Sequence, residues 1–87
     1  MPEYLVELYS VAEPDWAALI RLGDSRPVRY VRSIVIPGDE TCLHLVEGDS
    51  VAQVSEAFDQ AGLSADRIVE AVCLQAPAAV DNRQKKS

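Results

Sequence analysis

Cys42 and His44, the latter the chain's single histidine, stand two residues apart in the run Thr41 to Glu47, TCLHLVE. Side chains alternate along a strand, so these two project the same way about 7 Å apart, with Leu43 and Leu45 on the other side. Sulfur and nitrogen donors suit nickel, copper or zinc, and Glu7 on a neighbouring strand adds an oxygen. Cys42, His44 and Glu7 are therefore the candidate ligands for a divalent transition metal, with Glu47 and the acidic turn as outer alternatives. The same face offers a second chemistry, because Tyr30, Arg32 and Glu70 join His44 and Glu7 there if the alternation holds. Histidine beside a carboxylate moves protons, and arginine holds an oxyanion. In that alternative His44, Glu7 and Arg32 form the acid-base set of a small enzyme or the contacts of a ligand-binding module, acting on a small anionic molecule. The purely structural assignment is a packed thiol at Cys42, a hydrogen-bonded His44, and an Arg32 ion pair with Glu7 or Glu70.

Other chemistries lack their residues. Asp39, Glu40 and Asp49 read as turn and cap residues, since a calcium or magnesium cage needs more oxygens in a defined order. The sequence contains no glycine-rich phosphate loop, nucleophile elbow or paired Cys-x-x-Cys. The net charge of −6 combines a body of −8 with a last thirteen residues of +2, which argues against nucleic acid as a partner. No run approaches the roughly 18 apolar residues that a membrane span requires. The opening MPEYLVELY has no basic region before an apolar one, so it reads as a first strand in a cytoplasmic protein, and the two cysteines are expected as free thiols.

The elements that position these residues follow from periodicity. Glu3 to Ser10 alternates as a half-buried strand. Glu13-Pro14-Asp15 opens a short helix carrying Trp16, Leu19 and Ile20 on its apolar side, with Gly23 expected in the left-handed terminal position. Val28 to Ile36 is rich in β-branched residues and forms a second strand, which a type II turn at Pro37-Gly38 pairs antiparallel with Thr41 to Glu47. Asp49 or Ser50 caps a second helix, with Ser50 and Gln53 spaced as a capping box, Val51, Val54, Phe58 and Ala61 as its stripe and Gly62 as its stop. Ala65 to Leu74 is the fourth strand. QAPAAVDNRQKKS has no period and is expected to be a mobile tail, dividing the chain into a domain over 1–74 and a tail over 75–87.

The order β-α-β-β-α-β is that of a ferredoxin-like α+β fold: a four-stranded antiparallel sheet in the order 4-1-3-2 with two helices on one face. Strict alternation puts Tyr4, Val6, Leu8, Val31, Val35, Leu43, Leu45, Val69 and Ala71 under the helices. The opposite face then carries Leu5, Glu7, Tyr9, Tyr30, Arg32, Ile34, Cys42, His44, Val46, Ile68, Glu70 and Val72. So apolar a face calls for cover. A chain of 87 residues also buries only about 60–65% of its extended surface, so a homodimer packed through this face is expected.

The opening PEYLVE, the Ser33 strand followed by the ETC hairpin, the helix start Glu47-Gly48-Asp49-Ser50 and the closing ADRIVEAV together resemble the small ferredoxin-like nickel-binding proteins. The resemblance covers residues 2–74 and implies a dimer that binds nickel without catalytic turnover. In such relatives the second strand carries an aromatic-x-His-Ser stretch, whereas Tyr30-Val31-Arg32-Ser33 has arginine at the histidine position. Arginine is a cation and not a metal ligand, which motivates the competing small-ligand chemistry on a dimeric α+β barrel.

Overall fold

The computed structural model describes residues 1–24 and 27–77. Its elements are β1 (Glu3–Tyr9), α1 (Trp16–Gly23), β2 (Arg29–Ile36), β3 (Thr41–Glu47), α2 (Val51–Ala61) and β4 (Arg67–Ala71). The four strands form one antiparallel sheet in the order β2-β3-β1-β4, which is the expected ferredoxin-like arrangement. No helix among the described residues is long and apolar enough to cross a membrane.

Local chemistry fixes the element ends. Asp15 caps α1 by accepting from the Ala18 amide at 3.0 Å. That helix buries Ala18, Leu19 and Leu22, while Trp16 and Ile20, expected on its apolar side, are exposed. Gly23 remains helical and Asp24 caps the end in a right-handed conformation, so the expected left-handed glycine is absent there. The predicted capping box on α2 forms with one shift: the Gln53 amide donates to Ser50 Oγ at 3.1 Å, and the Asp49 amide, not that of Ser50, donates to Gln53 Oε1 at 2.8 Å. Gly62 ends α2 at φ +85. The β2-β3 connection is a 3-10 turn over Pro37–Asp39 closed by Glu40 at φ 47, not the type II turn that needs a positive φ at Gly38.

Val54, Ala57, Phe58 and Ala61 of α2 and Leu19 and Leu22 of α1 pack on Tyr4, Val6 and Leu8 of β1 and Val46 of β3. The parity of β1 is therefore as expected, and that of β3 is reversed. Val6 pairs with His44, Tyr4 with Val46 and Leu8 with Cys42, so Cys42, His44 and Val46 lie under the helices, and Leu43 and Leu45 face away. In β4 the pairing of Val6 with Ile68 likewise brings Ile68 against the core and turns Val69 and Ala71 outward. In β2 a bulge between Tyr30 and Arg32 absorbs Val31. Two residues there oppose one, so Tyr30 joins the helix side opposite Val46 while Arg32 and Ile34 stay on the open face. Alternation misjudged β3 because both faces of this strand are apolar. Its orientation comes from pairing with β1, one residue of register being enough to exchange the faces. Most of the anticipated tail, residues 78–87, lies outside the described residues; Gln75–Pro77 has no regular structure.

Candidate functional site

The reversed parity divides the predicted residues between two faces. Cys42 and His44 are buried at 0% and 1% exposure beneath the helices. Glu7 is on the open face, where Oε1 accepts from the Tyr9 hydroxyl at 2.7 Å and Oε2 lies 3.8 Å from the Arg67 guanidinium. Arg32 is on that open face too, beside a second cavity of about 430 Å³ shared with Glu3, Val31, Ile34 and Leu45. Neither Glu7 nor Arg32 reaches His44, so the acid-base set His44, Glu7 and Arg32 does not assemble, and the ligand trio Cys42, His44 and Glu7 is likewise separated. Glu47 is held by Arg29 at 3.1 Å. Among the described residues, no three His, Cys, Asp or Glu side chains converge as a metal would require.

Cys42 behaves as a packed thiol. Its Sγ–H donates to the Val11 carbonyl at 3.3 Å, and burial raises its pKa, so the metal-binding thiolate is disfavoured. Cys73 is free and exposed, and no disulfide links the two.

His44 is different. Its ring packs between Tyr30 and Phe58, with centroids 6.4 and 6.2 Å away. Nδ1 lies 2.6 Å from Ser33 Oγ, which in turn lies 2.6 Å from the Tyr30 hydroxyl. Loss of water around the ring lowers its pKa, so it is neutral at pH 7. Nε2 makes no hydrogen bond to any described residue, yet no described buried polar side-chain atom is without a partner. That nitrogen therefore keeps an opening.

The opening is a cavity of about 400 Å³ against which His44 packs together with Leu8, Tyr9, Val11, Leu63 and Ser64. Asp15 at the start of α1 and Asp66 before β4 supply its acidic wall. Asp66 Oδ2 accepts from the Tyr9 amide at 2.7 Å and Asp15 Oδ1 caps α1, which leaves each carboxylate a second oxygen with no hydrogen bond to a described residue. The volume falls within the roughly 300–1,000 Å³ of small-molecule sites, and apolar walls with a few convergent polar groups are their usual make-up.

His44 and Tyr30 were legible as neighbours in the sequence, and Ser33, Asp15 and Asp66 were not. Ser33 carried a signal: it is the one small polar residue in the β-branched run VRYVRSIVI, at the position that faces the histidine strand. Asp15 and Asp66 carried none, since they meet only through tertiary structure.

Comparison with known proteins follows the same lines. A family model described as nickel responsive protein, SCO4226-like, matches residues 7–71. Among solved structures, the crystal structure of SCO4226 from Streptomyces coelicolor A3(2) superposes with a TM-score of 0.66 at 24% identity, covering 85% of this chain and 99% of that one. That likeness is one of fold. No curated protein matches the chain.

Proposed function

The chain belongs to the nickel-responsive, SCO4226-like family, and from that premise we propose that it is a small binding protein without catalytic turnover, whose ligand enters the cavity against His44. The observation that carries this reading is a buried imidazole with Nδ1 held by Ser33, Nε2 without a hydrogen bond to any described residue, and the ring lining a cavity of about 400 Å³. Binding is favoured over turnover because Glu7 and Arg32, the partners acid-base chemistry asked for, are on the other face of the sheet. A fragment panel read by thermal shift tests it, since a ligand of the native state raises Tm. Some members should raise Tm of the wild type and not of His44→Leu; a panel without any such member would overturn the reading.

Family membership favours a second reading, in which the ligand is a divalent transition metal, nickel first. The described donors fit it in kind but not in number. Nickel takes nitrogen and oxygen ligands, yet one imidazole with two aspartates already engaged makes no converged set. Calorimetric titration of nickel(II) distinguishes the two: a heat that disappears in His44→Ala puts the metal on the ring, and a heat that is absent or unaltered in the variant removes this reading.

The open sheet face supports a homodimer, as the sequence suggested, with one correction. Val46 belongs to the core and Val72 lies beyond the end of β4, and their places on the proposed interface go to Leu43, Val69 and Ala71 beside Leu5 and Ile34. Burying that patch is worth on the order of 25 cal/mol per Å² before association costs.

A further inference from the structure

Ser33 has one hydroxyl proton, two short contacts and no third hydrogen-bond partner among the described residues, so accepting in both would leave its proton unused; donating in one and accepting in the other uses it, and the chain of Tyr30, Ser33 and His44 then runs in one direction. A phenol is a better donor than an aliphatic alcohol, and a neutral imidazole nitrogen is a better acceptor than a phenol oxygen. The favoured direction therefore has Tyr30 donating to Ser33 and Ser33 donating to Nδ1. The reverse has an alcohol donating to a phenol oxygen and leaves the phenol proton without a partner in the chain. With Nδ1 an acceptor, the ring's single proton is on Nε2, a donor with no hydrogen-bond partner among the described residues on a ring that lines the cavity. The same lining carries Asp15 and Asp66, each with a second carboxylate oxygen that makes no hydrogen bond to a described residue, and no basic side chain among the described lining residues.

Resting on the cavity as the ligand site, we infer that it takes a small organic molecule with a carbonyl oxygen at its inner end and an amine at its outer end, Tyr30 and Ser33 being positioning residues that hold His44 as a donor. The inner oxygen accepts from Nε2–H, and the ammonium meets the aspartates in charge-assisted hydrogen bonds. The same tautomer explains why the ring is a poor metal ligand as it stands: coordination through Nε2 requires the proton to leave that nitrogen and the Ser33 hydrogen bond to reverse.

The single histidine makes the test direct. In 15N-labelled protein at neutral pH, the long-range imidazole spectrum should show a protonated Nε2 and an unprotonated Nδ1. Ser33→Ala should mix the two tautomers, and Ser33→Thr, which keeps the hydroxyl, should not. Titrations with glycinamide, acetamide and methylammonium, followed on the same ring signals, should rank glycinamide tightest by about tenfold or more, the size of one charge-assisted hydrogen bond. An unprotonated Nε2, a Ser33→Ala spectrum unchanged from wild type, or glycinamide no tighter than the other two overturns the inference. If the tautomer is wrong while fragments still move the His44 ring, the cavity reading stands and only its chemistry falls; if none moves the ring, both fall.

Discussion

His44 couples the fold to pH through the water it has lost. Its pKa is lowered by burial, whereas in the unfolded chain it sits near 6.5. Below that value the unfolded chain takes up a proton that the folded chain resists, so the unfolded state binds more protons. Stability is whole above about pH 6.5 and falls as pH drops from there towards the folded pKa, at a slope of up to about 1.4 kcal/mol per pH unit. Urea denaturation of wild type and His44→Leu between pH 8 and 5 checks this: the difference between the two should change with pH in that window. A constant difference would mean that the ring titrates alike in both states. Cys42 works in the other direction, since its raised pKa keeps the thiol protonated where the unfolded thiol ionises, and stability should decline as pH rises past about 8.5.

At the scale of elements, the turn from β3 into α2 depends on Gly48. A Cβ there would lie 2.9 Å from Val54 Cγ2 and 3.2 Å from Gln53 Oε1, the first a buried core atom and the second part of the helix cap. Gly48→Ala should therefore destabilise by about 1–3 kcal/mol, the usual cost of overpacking, and Ser50→Ala by about 1 kcal/mol through loss of the cap. A wild-type denaturation midpoint for Gly48→Ala would show that Val54 can move aside. These elements were legible in the sequence because their signals are local: proline and acids before α1, Ser50 and Gln53 at the start of α2, Gly62 at its end. The strand faces were less so. The hydrophobic pattern of TCLHLVE is compatible with either side of a sheet that is apolar on both, and the bulge at Val31 breaks the alternation that would have carried Tyr30 to the open face. His44 was legible as a candidate by its chemistry. Its surroundings were not, since Ser33, Asp15 and Asp66 reach it from three other parts of the chain.

The molecule as a whole presents two unlike faces. One is covered by the helices and carries the His44 cavity; the other is a sheet surface on which Ile34 is 48% exposed. Light scattering at micromolar concentration should return a mass twice that of the chain, and Ile34→Lys should return the monomer, because a charge in a buried apolar interface has no partner there. A wild-type monomer would mean that this face is covered by something other than a second copy. Dimerisation through it leaves the cavity free, since the two are on opposite sides of the sheet.

That separation gives the account its most direct test: amide and ring chemical-shift mapping of the wild-type protein during a glycinamide titration. Perturbations are expected at the His44 ring and at the amides of Gly62, Leu63 and Asp66, with Glu7, Arg32 and Leu43 unmoved. Perturbations at Glu7, Arg32 and Leu43 with a silent His44 would contradict it and return the binding site to the open face of the sheet.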